Sequence, residues 1–163
     1  AIELGYKVIF RPHPHVYQFI GLFDENEFVQ IDHERGSYQD LFKKGALLVT
    51  DYSSVAFDFA YLKKPVLYYQ YGEDYHFNLE ESYFDYENMG FGEVCETEDE
   101  LVDLICEYMD NDCEMKEEHV KNVEDYFTFT DRNNCKRVHE AIKKVKPRDW
   151  TPYYTFPFQS CLS

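Results

Sequence analysis

Apolar residues along the chain fall into short runs separated by polar or proline-containing breaks, and the spacing inside each run sets the element expected there. Tyr6 to Phe10 (YKVIF) and Phe28 to Ile31 (FVQI) read as strands; the RPHPH after the first must end it, because prolines cannot continue a central strand. Tyr38 to Lys44 fits a short helix closed by Gly45, and Ala46 to Thr50 (ALLVT) a third, fully buried strand. Val55, Phe59 and Leu62 keep helical spacing until Lys63, Lys64 and Pro65 stop the helix, and Val66 to Tyr69 resumes as a strand. Strands that lack a polar face and alternate with helices predict an α/β fold, a Rossmann-like parallel sheet flanked by helices.

The pattern then changes. Gly72 to Gly92 is acidic and aromatic with no clean period, which predicts an ordered surface loop or a broken helical segment. Thr97 to Glu100 (TEDE) is a capping box ahead of Leu101, Leu104, Ile105 and Tyr108, an amphipathic helix. Further helices are expected over Met115 to Tyr126 and from about Asp131 to Lys144, the last with Cys135, Val138, Ile142 and Val145 on its inner face. Trp150 to Phe158 alternates aromatics with prolines and cannot be helical throughout. The expected organisation is one domain over residues 1–146 and an aromatic, proline-rich tail over 147–163, with no internal repeat.

Composition narrows the function classes. Of 163 residues, 16 are Lys or Arg and 32 Asp or Glu, for a formal charge of -16. That field repels a polyanion, so general nucleic-acid binding is excluded and any anionic ligand must be held locally. Hydrophobic residues at 44% and aromatics at 18% are too many for a disordered acidic tail. No apolar run is long enough to cross a bilayer, and the opening AIELGYKVIF lacks the pattern of a secretory leader. That opening starts mid-pattern, as an excised part of a longer protein would. The five cysteines are widely spaced, without a CxxC pair or a zinc-type spacing, so reduced and mostly buried thiols are expected, and no metal.

In a parallel sheet, ligands bind beyond the carboxyl ends of the strands, and two motifs fall there. Arg11-Pro12-His13-Pro14 follows the first strand and presents a guanidinium and an imidazole on a loop stiffened by prolines. A polar loop with a surface histidine is its plainer reading. Thr50-Asp51-Tyr52-Ser53-Ser54 joins the third strand to the next helix, and its hydroxyls and free amides suit an anion; ordinary helix capping by Ser53 and Ser54 explains the same residues. Asp58, four residues after Ser54, shares a helical face with it and either orients a hydroxyl or a lysine or is merely solvated. Lys63 and Lys64 suit the dipole of the helix they end. His33, His119 and His139 read as surface residues, and His15 and His76 stay undecided. No Gly-rich fingerprint or P-loop is present, so neither NAD nor ATP is implied and no cofactor is expected.

RPHP, then LLVTDYSSVAFDFAYLKKPVLYYQY, then YFDYENMGFGEV, in this order, closely resembles the C-terminal half of the CDP-glycerol glycerophosphotransferase family, the teichoic-acid polymerases and primases of bacteria. The likeness runs from about Tyr6 to Ile142, and TDYSS with its trailing KP is its most specific part. The resemblance implies the donor-binding half of a GT-B-type transferase. It implies a CDP-glycerol or related CDP-polyol donor, a polyol-phosphate acceptor bound by an N-terminal domain not in this chain, and release of CMP. It implies that His13 takes part in transfer and that Ser53 and Ser54 contact the donor pyrophosphate; Arg11 and Asp58 match family positions as substrate-binding residues. It implies a cytoplasmic protein whose parent sits peripherally on the inner face of the cell membrane. Gly90-Phe91-Gly92 departs from the proline-containing turn of the family. A nucleotide-sugar glycosyltransferase or epimerase half-domain, and a non-catalytic interaction module with a vestigial phosphate site, are the competing readings.

Overall fold

The computed structural model describes residues 3–33, 36–72 and 84–145, and the chain divides into two units, residues 1–127 and 128–163. In the first unit β1 (Val8–Phe10) pairs in parallel with β2 (Val29–Ile31), Val8 opposite Val29 and Phe10 opposite Ile31. A second parallel sheet has the order β3-β4-β5, with β3 spanning Leu48–Thr50, β4 Val66–Tyr69 and β5 Val94–Cys95. Helix α1 (Tyr38–Lys44) links β2 to β3, α2 (Val55–Ala60) links β3 to β4, and α3 (Tyr86–Met89) precedes β5. Helices α4 (Glu98–Asp110) and α5 (Glu117–Tyr126) complete the unit. Parallel strands need crossover connections, and here helices supply them, which is the Rossmann-like α/β class expected from the alternation.

The core forms where β4 meets its helices. Val66 and Tyr68 of β4 pack with Ala56, Phe59 and Ala60 of α2, Phe42 of α1, Phe84, Phe91 and Val123 of α5. Both faces of β4 are buried, since Val66 and Leu67 show no exposed surface, as expected of a central parallel strand. β3 differs from the fully buried strand that its apolar sequence predicts: Val49 is 40% exposed. Its sheet partner among the described residues is β4 alone, so it is an edge strand. The segment after β4 is described only from residue 84 on, and its α3 is capped by Asp85, whose carboxylate accepts from the N–H groups of Glu87 and Asn88.

Two connections show how short sequence signals act across the fold. Lys63 adopts a left-handed conformation (φ 55°) at the end of α2, so the following Lys64 turns away from that helix. Its ammonium donates instead to the carbonyls of Phe42, Lys43 and Gly45 at 2.8, 2.9 and 2.6 Å, closing the C-terminus of α1. Lys63 pairs with Glu124 of α5 at 2.6 Å. The lysines therefore serve neighbouring elements rather than the helix that they end. In the turn before β5, a Cβ on Gly92 would lie 1.5 Å from the Val66 carbonyl oxygen; the absence of a side chain lets this turn press against β4.

His119, expected at the surface, is buried. The Gly90 carbonyl lies 3.3 Å from its Nδ1 and accepts from Asn122 at 2.8 Å, while Nε2 lies 3.5 Å from Glu93. Glu93 also accepts from the Tyr108 hydroxyl at 2.8 Å and pairs with Lys116 at 2.5 Å, and Lys116 reaches Glu107 at 2.7 Å. Burial pushes the Glu93 carboxyl up, but His119, Lys116 and Tyr108 together outweigh it and hold it at about 2. The expected capping box starts α4: Glu100 N–H donates to Thr97 Oγ1, and the Glu100 carboxylate accepts from the N–H groups of Thr97 and Glu96.

In the second unit α6 (Asn134–Lys144) starts three residues later than about Asp131. Arg137 of α6 pairs with Asp131 at 2.6 Å and lies over the Phe129 ring. The stripe expected to face inward is exposed instead: Val138, Ile142 and Val145 are 58, 65 and 71% accessible. Its spacing is helical as expected, but periodicity defines a face without supplying a neighbour to cover it. The tail over 147–163, including Trp150 to Phe158, lies outside the described residues, as does His76. Among the described cysteines Cys95 and Cys113 are buried and Cys106 and Cys135 exposed, all four free thiols, so core placement holds for two of them.

Candidate functional site

All strands of a parallel sheet end on the same edge, so the residues that follow β3 and β4 are neighbours there. Asp51 and Tyr52, immediately after β3, line a shallow cleft with Tyr69, the last residue of β4, and Tyr71. The Tyr69 and Tyr71 rings lie 5.0 Å apart at 34°. Tyr86 of α3 contacts Tyr52 at 6.0 Å and Tyr68 at 5.0 Å, which ties the cleft to the core. Burial, with Tyr52 and Asp51 adding to it, pushes the Tyr86 phenol up.

Ser53 and Ser54 open α2 beside this cleft. The Ser53 carbonyl accepts from Ala56 N–H at 3.2 Å, and its hydroxyl makes only a long 3.5 Å contact with Val55 N–H. Ser54 is exposed, already helical (φ -63°, ψ -11°), and its side chain caps nothing. The plainer reading of the motif as tight capping therefore accounts for little of Ser53 and none of the Ser54 hydroxyl. α2 is only six residues long, so any anion here would be met by hydroxyl and N–H groups more than by a helix dipole. Asp58 lies exposed in the first turn of α2. Neither a hydrogen bond nor an ion pair joins it to Ser54 or to a lysine among the described residues.

Arg11 and His13 sit on the loop beyond β1. The Arg11 guanidinium forms an ion pair with Asp32, donates to the Gly36 carbonyl at 2.8 Å and lies 4.4 Å over the Tyr38 ring. It thus joins the loops after β1 and β2 to the start of α1. His13 is exposed and begins a 3-10 helix over Pro14–Leu22, a segment that sequence reasoning left as loop. Pro14 suits the first helical position, where no N–H is needed. The His15 backbone N–H donates to His13 Nδ1 at 3.3 Å, and the two imidazole rings meet edge to face at 4.9 Å. Because Nδ1 accepts, the neutral ring carries its proton on Nε2. Tyr17 of the same 3-10 helix donates to the Asp32 carbonyl at 2.7 Å, so both Arg11 and the His13 segment are fastened at Asp32.

The five expected site residues thus form two groups, Arg11 with His13 and Ser53, Ser54 with Asp58. No hydrogen bond, ion pair or ring contact between described residues joins the groups directly. A chain of packed rings connects them: Arg11 over Tyr38, Tyr38 to Phe42 at 5.8 Å, and Phe42 to Phe59 of α2 at 5.6 Å. Sequence reasoning missed Tyr52, Tyr69 and Tyr71 as cleft residues. Their signal was present, since each falls at or just after the carboxyl end of an expected strand.

A family model described as CDP-glycerol:poly(glycerophosphate) glycerophosphotransferase matches residues 1–144. The chain is 47% identical over 145 residues to the minor teichoic acid biosynthesis protein GgaB of Bacillus subtilis, covering 89% of this chain and 16% of that protein. It is 30% identical over 146 residues to a teichoic acid glycerol-phosphate transferase of Staphylococcus aureus, covering 88% and 37%. It is 31% identical over 110 residues to a teichoic acid poly(ribitol-phosphate) polymerase of Bacillus spizizenii, covering 63% and 17%. The chain therefore spans well under half the length of these relatives.

Proposed function

Because the chain belongs to the CDP-glycerol:poly(glycerophosphate) glycerophosphotransferase family, we propose that it is the donor-binding part of a transferase that moves a polyol phosphate from its CDP-activated form to the hydroxyl of a polyol-phosphate chain. In this reading the acceptor is held by a further domain in a GT-B-type parent, which works peripherally at the cytoplasmic face of the membrane. No helix among the described residues is long and apolar enough to cross a bilayer. Relatives named for glycerol phosphate and for ribitol phosphate both match, which supports the broader class of CDP-polyols, rather than CDP-glycerol alone, as the proposed donor.

The reaction is a displacement at the β-phosphorus. An acceptor oxygen forms the new P–O bond, the bond to the bridging oxygen breaks, CMP carries away that electron pair, and the acceptor proton passes to a base. Positioning and charge stabilisation supply most of the rate in such transfers. Ser53 and Ser54 would hold the pyrophosphate; the observation that carries this is the Ser54 hydroxyl, exposed and uncommitted at the carboxyl edge of the sheet. His13, with Nδ1 accepting from His15, offers Nε2–H as a hydrogen-bond donor to the phosphoryl oxygens. That favours a donor role over proton abstraction. Arg11, anchored to Asp32 and Gly36, holds the His13 loop in place, and Asp58 is available to accept from a polyol hydroxyl.

Calorimetric titration of CDP-glycerol into the chain tests the reading. Binding that weakens about tenfold to 100-fold in Ser54→Ala, one hydrogen bond to a charged group, is expected. Absence of binding by the folded chain at millimolar donor would overturn it. In a full-length parent, His13→Ala should lower turnover by about 100-fold or more. Unchanged turnover would favour the interaction-module reading.

A further inference from the structure

The strands form two parallel sheets, β1-β2 and β3-β4-β5, although all of them belong to one unit and one helix touches both sheets. Tyr38 of α1 lies under the Arg11 guanidinium just beyond β1, while Phe42 of the same helix packs with Phe59 and β4. Each sheet presents an open edge. In β1 the Val8 N–H donates to the Phe28 carbonyl and the Phe10 carbonyl accepts from Asp32, so the alternation of a parallel ladder turns the Ile9 N–H and carbonyl away from β2. In β3 the Leu48 N–H donates to the Pro65 carbonyl, which turns those of Val49 away from β4. Among the described residues β1 pairs with β2 alone and β3 with β4 alone. Val8 and Ile9 point to opposite faces yet are 44 and 50% exposed. Apolar strands with a row of unpaired backbone groups are templates for another strand.

Strand order says where that strand belongs. A doubly wound sheet of six parallel strands runs 3-2-1-4-5-6. Without its first strand it leaves 3-2 and 4-5-6, which are the two sheets observed when β1 to β5 are counted from two. We infer that β1 and β3 flank the place of a further parallel strand, contributed by the parent protein from outside these 163 residues and bonded to Ile9 on one side and Val49 on the other. The relatives have chain to spare, since the matched segment is 16% of GgaB and 37% of the Staphylococcus aureus transferase. The segments of this chain outside the described strands suit the place poorly: residues 73–83 hold four acidic residues, residues 146–163 are broken by Pro147, Pro152 and Pro157, and a central strand tolerates neither. The partner is therefore an uninterrupted run of about three to five residues rich in Val, Ile and Leu. Running parallel, it ends between the loop of Arg11 and His13 and the turn of Ser53, which accounts for the lack of direct contact between those two groups. The inference rests on strand order and backbone pairing and is independent of the donor-binding reading.

Amide hydrogen exchange, read residue by residue in this chain and in the full-length parent, tests it. In the chain, dilute enough to be monomeric, Val8, Phe10, Leu48 and Thr50 should be protected, whereas Ile9 and Val49 should exchange nearly as fast as in unstructured peptide. In the parent both Ile9 and Val49 should slow by at least about 100-fold. Fast exchange of either one in the parent overturns the inference. So does protection of both in the dilute chain, because a segment of the chain itself would then close the edges. Protection that arises only on concentrating the chain overturns it too, since the occupant would be a second copy. None of these outcomes bears on calorimetric binding of CDP-glycerol, so the two readings fail separately.

Discussion

Glu93→Gln gives the sharpest test of the energetics. The Glu93 side chain is 21% exposed and meets Lys116, Tyr108 and His119, which hold it at about 2 against an ordinary 4.5. At 1.36 kcal/mol per pH unit that gap corresponds to about 3 kcal/mol of folding stability. A glutamine still accepts from Tyr108 and Lys116 keeps Glu107, so about 2 kcal/mol of net loss is expected at pH 7. The folded value is depressed, so the contribution is complete above the unfolded value near 4.5 and is lost as pH falls through about 2. Urea unfolding of both proteins from pH 7 down to pH 2 isolates this group, because other carboxylates cancel in the difference. The gap between wild type and variant should be constant above about pH 5, narrow below it and close near pH 2. A gap independent of pH, or a variant as stable as wild type at pH 7, would refute the electrostatic account of this cluster.

Two further changes probe the frame around the site. Gly92→Ala would set a Cβ 1.5 Å from the Val66 carbonyl oxygen, so β4 and β5 must separate; a loss of at least ~4 kcal/mol, read as failure to accumulate folded protein, is expected, and a folded variant of native stability would contradict it. Thr97→Ala removes the acceptor for Glu100 N–H at the start of α4 and should cost about 1 kcal/mol in chemical denaturation, with no effect on ligand binding.

Signals that act within a few residues were legible in the sequence. Gly45 closed α1, Pro65 set the start of β4, and Thr97 with Glu100 opened α4, each through chemistry confined to one turn or chain reversal. Features that depend on distant partners were not. β5 is two residues long and becomes a strand only because Val94 and Cys95 pair with Tyr68 and Tyr69. His119 follows two glutamates and looked solvated, yet the Gly90 turn and Glu93 bury it. Lys64 looked like a helix-end cation and proved to be a clamp on the preceding helix. The site divides in the same way: the motifs could be placed at strand ends from spacing alone, whereas the engagement of Arg11 with Asp32 and the tyrosine cleft are products of packing.

The three basic side chains that flank these loops in sequence are already occupied: Arg11 by a carboxylate, Lys63 by Glu124, and Lys64 by three carbonyl oxygens. A phosphate-bearing ligand approaching so acidic a molecule would find little uncompensated positive charge from them. At the proposed anion site, selection would then rest on the direction of the Ser53 and Ser54 hydroxyls and neighbouring amide hydrogens, where an open cluster of lysines would collect anions without choosing among them.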